Sequence, residues 1–133
     1  MSVLWAYRCY VSARGVDEIR AWYDGQPPKV RAKFLSRLKI LAGMPAHEWK
    51  MPLFRWLHGE CKGLGEIRFA VGNTQHRPLG FQRPPKNVFT LSLCAVERDD
   101  AFVPKDACGI ALRRKNEIET IEERSHALWL VLE

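Results

Sequence analysis

The chain has 133 residues, a length that suits one domain with a hydrophobic core of its own. Hydrophobic residues make up 47% of it and charged residues 27%, a composition that is typical of globular proteins and argues against disorder. The net charge of +6 arises almost entirely before residue 104, and such a basic body favours a polyanionic partner. No apolar run approaches the length of a membrane span, so we expect no membrane partner.

The four cysteines are Cys9, Cys61, Cys94 and Cys108, and they show neither a Cys-x-x-Cys spacing nor neighbouring histidines. A structural metal site or other cofactor is therefore not expected. Cys9 and Cys94 fall in apolar runs, which predicts buried, reduced thiols. Because the first residues also lack the charged and apolar regions of a secretory leader, we expect a cytoplasmic protein.

The first half of the chain is predicted to form a strand and a helical hairpin. Residues 4–11 are rich in aromatic side chains and contain no breaker, as in a strand. A short helix is predicted from Val16, and Pro27 begins a second helix that ends at Gly43. Residues 46–64 lack a clear period and are predicted to be a loop whose aromatic side chains plug the edge of the core. The buried stripe of the second helix is expected to contain Val30, Phe34, Leu38 and Leu41.

From Gly65 the side chains alternate between two faces, and Gly72-Asn73 provides the two-residue turn of a hairpin. Counting outward from this turn places Arg68 opposite Arg77, which is predicted to be an exposed sheet residue. Like charges facing each other destabilise a sheet, so the pair makes sense mainly if an anion lies between the two side chains. The alternative is that the turn is longer, or that each guanidinium reaches solvent or a carboxylate such as Glu66.

The second half continues as an antiparallel meander. A returning strand is predicted over 74–83, a turn over 84–87 and a central strand over 88–96. A final helix begins after Pro104, and the apolar tail 128–132 is expected to pack back on the body. The predicted fold is one α+β domain spanning 1–133, in which an N-terminal strand and a helical hairpin pack on a small antiparallel sheet with a C-terminal helix.

The candidate nucleic-acid contacts are basic residues. On the second helix, positively charged side chains recur every four residues and form a basic stripe that consists of Lys29, Lys33 and Arg37. This stripe is either a solvated face of the helix or a nucleic-acid contact. Other cations lie in turns or at strand ends, where they can clamp phosphates, and these are Lys62, Arg83, Lys86, Arg98 and Lys105.

Among the four histidines, His58 is the candidate proton carrier, because it lies in the loop that enters the sheet. His76 is expected to be structural, since its side chain points away from the face of Arg77. No phosphate-binding loop, dinucleotide fingerprint, zinc-protease motif or serine-hydrolase motif is present, so these enzyme classes have no support.

The segments 63–69 (GLGEIRF) and 76–81 (HRPLGF), with a turn between them, resemble the central hairpin of toxins of the RelE/ParE superfamily. The Pro-Pro start of the second helix, the block 56–60 (WLHGE) and the sequence 102–105 (FVPK) before the last helix resemble its phage-derived HigB-like branch. The resemblance covers most of the chain.

The resemblance implies a RelE/ParE-like fold and the toxin of a type II toxin–antitoxin pair, a ribosome-dependent, metal-independent mRNA endoribonuclease that inhibits translation. It implies that Arg77 stabilises the negative charge at the scissile phosphate, that Arg68 positions this phosphate and that His58 is a possible acid or base. The implied partners are the ribosome, mRNA and a small helix-turn-helix antitoxin. Two features depart from the family pattern: no tyrosine occurs late in the chain, and Glu97 stands where other members carry a basic residue.

Two other functions remain open. The ParE branch of the same superfamily binds and inhibits DNA gyrase and performs no RNA chemistry. A phage-derived protein can also keep the fold and lose the activity, because fold similarity does not by itself fix function.

Overall fold

The structure is a computed structural model that describes residues 3–83 and 86–133. The described residues form three helices and one mostly antiparallel sheet, which confirms the α+β class. The turn predicted at 84–87 lies partly outside the described residues. The helices are α1 (Glu18–Asp24), α2 (Pro28–Ala42) and α3 (Ala107–Thr120). The strands are β1 (Ala6–Tyr10), β2 (Phe54–Trp56), β3 (Gly65–Ile67), β4 (Phe69–Val71), β5 (Thr74–Gln82), β6 (Val88–Arg98), β7 (Ala101–Val103) and β8 (Ser125–Ala127).

The strand order in the sheet is β2-β3-β5-β6-β1-β8, with β4 beside β5 and β7 beside β6. Strand β6 is central, as predicted for the apolar run 88–96, because it pairs with β5 on one side and with β1 on the other. The β5–β6 pair is antiparallel, whereas β1 runs parallel to β6. The two longest strands, β5 and β6, therefore form the framework to which the shorter strands attach.

The hairpin register is the predicted one, since Val71 lies opposite Thr74. Gly72 adopts a φ of 58°, a conformation that costs glycine little. The strand predicted from Gly65 is interrupted at Arg68, whose N–H donates to the carbonyl of Leu53 at 2.9 Å. This hydrogen bond separates β3 from β4, so Arg68 lies between two strands.

Helices α1 and α2 cover one face of the sheet. Asp17 caps α1, because its carboxylate accepts hydrogen bonds from the N–H groups of Ile19 and Arg20 at 3.0 and 2.9 Å. Helix α2 begins at Pro28, and the N–H of the capping Gly43 bonds back to its last turn. The predicted stripe of α2 is confirmed, since Val30, Phe34, Leu38 and Leu41 are all buried in the core on this face.

The prediction that 46–64 is a loop without regular structure is wrong. This region contains strand β2 and two single 3-10 turns, Ala46–Glu48 and Gly59–Cys61. Trp49 and Phe54 are buried in the core as expected, whereas Trp56 keeps 40% of its surface exposed. Elements of three residues are too short to impose a periodic pattern on the sequence, which is why the pattern missed them.

Helix α3 covers the opposite face of the sheet. Ala107 and Ala111 pack there with Leu64, Leu79 and Ala95 in a second apolar cluster. A disulfide joins Cys61, in the 3-10 turn before β3, to Cys108 in the first turn of α3. The two cysteines are 47 residues apart in the sequence, and their spacing did not predict the bond.

The remaining two cysteines are free thiols, as predicted. Cys9 is buried, and Cys94 is partly buried. The tail also behaves as predicted, because Leu128, Trp129, Leu130 and Leu132 pack against the core, whereas Val131 is 73% exposed. Within the described ranges, no helix has both the length and the apolar character that crossing a membrane requires.

Candidate functional site

Five charged side chains meet on the face of the sheet that α3 covers in part, and we call them the charged cluster: Arg55, Glu66, Arg68, Arg77 and Glu97. The registers of the strands bring them together. Arg55 of β2 lies opposite Glu66 of β3, and Arg77 of β5 lies two residue pairs along the ladder from Gln75, which is opposite Glu97 of β6. The cluster therefore spans four adjacent parts of the sheet and carries three positive and two negative charges.

Glu66 is the centre of the charged cluster and is fully buried, with 0% of its surface exposed. Its Oε2 atom contacts a guanidinium nitrogen of Arg68, lies 3.2 Å from Nε of Arg55 and lies 3.9 Å from Nε of Arg77. Its Oε1 atom has no hydrogen-bond partner among the residues that the structure describes. Burying a carboxylate costs several kcal/mol, roughly, unless cations and donors compensate, so the three arginines are what make this position tolerable.

Arg77 is also buried, with 4% exposure, which corrects the expectation of an exposed sheet arginine. Its Nε donates to Glu97 at 2.9 Å, and its two terminal nitrogens donate to the His76 carbonyl at 2.9 Å and to Gln75 at 3.3 Å. The sequence left open whether an anion or a protein carboxylate lies beside the two arginines. In the structure, the guanidinium groups contact carboxylates of the protein. An RNA phosphate would have to compete with Glu97 for Arg77.

Arg68 occupies the position opposite Arg77 when the hairpin register is extended, but it lies outside the strands. Its side chain is 19% exposed and bonds to Glu66. Its carbonyl accepts a hydrogen bond from the guanidinium of Arg37 on α2. Arg37 is therefore a structural member of the predicted basic stripe, and its burial lowers the pKa of its guanidinium.

The other two residues of the stripe remain on the surface. Lys29 and Lys33 are exposed and line a cleft of about 640 Å³ between α2 and the β4–β5 hairpin. The hairpin side of this cleft consists of Ala70, Val71 and Gly72. The cleft thus places two exposed lysines beside β4, the strand that follows Arg68.

His58 is exposed and lies at the other end of β3 from the arginines. Trp56 pairs with Gly65 at the start of β3, and His58 lies two residues beyond Trp56, whereas Arg68 directly follows the last residue of β3. The separation along the strand direction is about five residues, or roughly 16 Å. The structure therefore does not bring His58 together with Arg68 and Arg77.

The remaining predicted cations divide between the two ends of the β5–β6 pair. Arg98 ends β6 and lies opposite Ala101 of β7, at the same end as Arg77, and Lys105 follows β7. Arg83 and Lys86 lie at the far end, beyond the pairing of Gln82 with Phe89. Lys62 lies at neither end of this pair, because it follows the 3-10 turn Gly59–Cys61 that His58 precedes. All five of these side chains are exposed, but they do not form one surface around the charged cluster.

His76 has the structural role expected of it. It is 4% exposed, and its ring stacks on Phe69 with 4.9 Å between the ring centroids while facing the edge of Trp22. Burial lowers the pKa of its imidazole, and the nearby charge of Arg77 lowers it further. His76 is therefore neutral at physiological pH and does not add to the positive charge of the cluster.

Two members of the arrangement were not singled out from the sequence. Arg55 lies on β2, which the pattern did not predict, and Gln75 lies at an exposed strand start. Glu97 was noted only as a departure from the family pattern, although its position opposite Gln75 explains its contact with Arg77. Had β2 been identified, the period-two rule would have placed Arg55 beside Glu66. Among the described residues, no group of three or more His, Cys, Asp or Glu side chains is arranged to hold a metal ion.

We expect Arg77→Ala to lower the free energy of unfolding by about 3 kcal/mol, because it leaves two buried or half-buried carboxylates without their shared cation. Urea denaturation followed by circular dichroism measures this change. The matched control is Arg113→Ala on the exposed surface of α3, which should change stability by less than about 0.5 kcal/mol. An Arg77→Ala protein as stable as the wild type would contradict the ion-pair network described here.

We also expect a pH dependence from His76. Because its folded-state pKa lies below the unfolded value, the unfolded state binds more protons, and stability is lost as the pH falls from about 6.5 through the folded pKa. Each unit of pKa difference corresponds to about 1.4 kcal/mol. In His76→Gln the loss of stability over this range should be smaller than in the wild type. An unchanged pH profile in this variant would show that another group titrates.

The sequence matches no protein-family model, and neither a curated protein nor a solved structure is significantly similar to it. The relation to RelE/ParE toxins therefore stands as a resemblance in short motifs.

Proposed function

We propose that this domain is the toxin of a type II toxin–antitoxin pair, similar to the HigB-like branch of the RelE/ParE superfamily, and that it cleaves mRNA on the ribosome. One observation carries the proposal. Arg68 and Arg77, which come from the two segments that resemble the family's central hairpin, both contact the same carboxylate, Glu66, on one face of the sheet. The order of one strand, two helices, a meander and a final helix is compatible with this resemblance.

In the proposed reaction the 2′-hydroxyl of a nucleotide attacks the neighbouring phosphorus, and the P–O5′ bond breaks. The reaction needs a base for the 2′-hydroxyl proton, a stabiliser of the phosphorane charge and an acid for the leaving 5′-oxygen. Arg77 supplies the charge stabilisation and Arg68 positions the phosphate, since electrostatic stabilisation is usually the largest contribution to such catalysis. His58 is the proposed acid or base, and it reaches the same phosphate only if segment 57–64 moves, given its position beyond the other end of β3.

The charged cluster must open for this reaction, because Glu97 holds Nε of Arg77 at 2.9 Å. A phosphate is a suitable competitor, since arginine binds phosphate and carboxylate in the same bidentate geometry. The ribosome supplies what the domain lacks: it holds mRNA in a fixed conformation, and aligning the reacting atoms is worth several kcal/mol, roughly. We therefore propose that cleavage depends on the ribosome.

The exposed lysine side chains of α2 have the role of binding RNA in this proposal. Lys29 and Lys33, beside the open cleft on α2, are proposed to contact ribosomal RNA, and such contacts weaken steeply with salt. The proposed antitoxin is a small helix-turn-helix protein with an acidic segment, because the positive charge of the domain attracts such a segment and covering the cluster would block RNA.

A second function is favoured by a specific observation, namely that Arg77 is buried and already paired with Glu97. An arginine in this state contributes to folding without any RNA. A domain of this kind fits the ParE branch, which inhibits DNA gyrase by binding and needs no phosphate-contacting arginine. The experiment below separates the two functions.

We expect purified protein to cut one mRNA when translating ribosomes are present and to leave the same naked mRNA intact, as mapped by primer extension. Arg77→Lys keeps a positive charge beside Glu97 and should preserve the fold, but it loses the guanidinium fork and should cut about 100-fold more slowly. Arg113→Lys, on the exposed surface of α3, is the matched control and should cut at the wild-type rate.

Equal cutting of naked mRNA would contradict ribosome dependence, and equal rates for Arg77→Lys and wild type would remove Arg77 from the chemistry. If nothing is cut in either reaction and DNA supercoiling by gyrase is inhibited, the binding function replaces the nuclease. If neither activity is found, the domain has kept the fold without the activity.

A further inference from the structure

Segment 57–64, which precedes β3, is joined covalently to α3. The Cα atoms of Cys61 and Cys108 are 5.2 Å apart, and the disulfide between them connects the single 3-10 turn Gly59–Cys61 to the second residue of α3. The apolar side chains around the bond belong to the second core cluster, in which Leu57 and Leu64 pack with the first turns of α3. The disulfide is thus the one covalent tie between this segment and the helix that covers the sheet.

The hydrogen bonds of the segment are local. Leu57 and Leu64 are joined by a bond of 2.9 Å from the Leu57 N–H, and the N–H groups of Cys61 and Lys62 donate to the carbonyls of His58 and Gly59, each at 3.1 Å. Leu64 is fully buried, whereas residues 58–60 and 62–63 are exposed. These backbone hydrogen bonds stay within the segment, so the disulfide and the apolar contacts of Leu57 and Leu64 are what join it to α3.

We propose that Cys61–Cys108 is a reversible thiol–disulfide site, that a dithiol reductant opens it, and that opening releases segment 57–64 from α3. Cys61 is only half-buried and lies between the exposed residues Glu60 and Lys62. An external thiolate would approach the disulfide from this exposed part of the segment.

The exchange proceeds in two balanced steps. The reductant's thiolate attacks Sγ of Cys61, so a mixed disulfide forms and the Cys61–Cys108 bond breaks with Cys108 as the leaving thiolate. The second thiol of the reductant then attacks the mixed disulfide and releases Cys61. Two electrons pass to the protein, the reductant becomes a disulfide, and its two protons end on Cys61 and Cys108.

The position of Cys108 favours the first step. It is the second residue of a 14-residue helix, where the free N–H groups and the helix dipole stabilise a thiolate. A better leaving thiolate speeds thiol–disulfide exchange. The thiolate that forms on Cys108 when the bond breaks would thus be stabilised by the positive end of the α3 dipole.

The other two cysteines do not interfere with this site. Burial raises the pKa of the Cys9 thiol and of the Cys94 thiol, so neither supplies a thiolate that could attack the bond. Exchange inside the chain is therefore suppressed, and Cys61 and Cys108 remain each other's partners when the site closes again.

Opening the site changes where His58 and Lys62 can go, because both belong to the released segment. This last step rests on the proposed function, in which His58 must approach the phosphate held by Arg77 and Arg68. In the closed state the segment lies beyond the far end of β3. The oxidation state of Cys61–Cys108 would then set whether the candidate acid or base reaches the RNA.

The test of the site needs no RNA. The full-length protein is incubated with oxidised or reduced dithiothreitol, alkylated with iodoacetamide and analysed by peptide mass spectrometry, with hydrogen exchange and circular dichroism on the same samples. We expect reduction to expose Cys61 and Cys108 together to alkylation and to leave Cys9 and Cys94 unmodified. The circular dichroism spectrum should stay unchanged while amides of segment 57–64 exchange at least about 10-fold faster. Reoxidation should reverse both changes.

Two variants keep the test decisive. A Cys61→Ser, Cys108→Ser protein should show the fast exchange of segment 57–64 in oxidising buffer, and the control Cys94→Ala should show the slow exchange. The proposal is overturned if Cys61 and Cys108 resist alkylation until denaturant is added, if reduction accelerates exchange throughout β5 and β6, or if the double variant exchanges as slowly as the oxidised protein. Ribosome-dependent cleavage is assayed separately, so a failure there would count against the proposed function and leave this site standing.

Discussion

The buried carboxylate of Glu66 is the constraint on which the face of the sheet around it depends. A charge that is removed from water must be compensated within the protein, and here compensation comes from arginines on three different segments of the chain. Meeting that requirement fixes the side chains of Arg55, Arg68 and Arg77. It also adds ion pairs between β2, β3, β5 and β6, because the charged groups contact one another across these neighbouring strands on one face of the sheet.

The same constraint sets the difficulty of the proposed chemistry. Arg77 carries the charge that a phosphate needs, but Glu97 and Glu66 already use it. In the proposed function, a phosphate held by the ribosome would compete, because it offers the same bidentate geometry and its position would be fixed before the arginine turns. In the proposed thiol–disulfide exchange, the bond between Cys61 and Cys108 would add a second control over the site. It would set whether the segment that carries His58 stays with α3, so charge stabilisation and proton transfer would be regulated by different bonds.

Much of this arrangement could be predicted from the sequence. The stripe of α2 and the Pro28 and Gly43 boundaries follow from helical periodicity and backbone chemistry, and the Gly72 turn gave the correct register. The alternation of side chains from Gly65 onward also places Glu66 on the same face of the sheet as Arg68. The burial of Arg77 could not be predicted, because charged residues are usually exposed and its partner Glu97 lies 20 residues further along the chain, on β6. Strand β2 was missed since three residues carry no period, and the Cys61–Cys108 bond joins segments whose proximity only the fold creates.

The most direct measurement is a cryo-electron microscopy structure of the protein bound to a ribosome with mRNA in the decoding site, using a 2′-deoxy nucleotide at the cleavage position to prevent attack. We expect that the guanidinium of Arg77 has left Glu97 and contacts the phosphate next to that nucleotide, and that Lys29 and Lys33 contact ribosomal RNA. A bound protein in which Arg77 remains paired with Glu97 and the charged cluster faces away from the mRNA would contradict the proposed nuclease function.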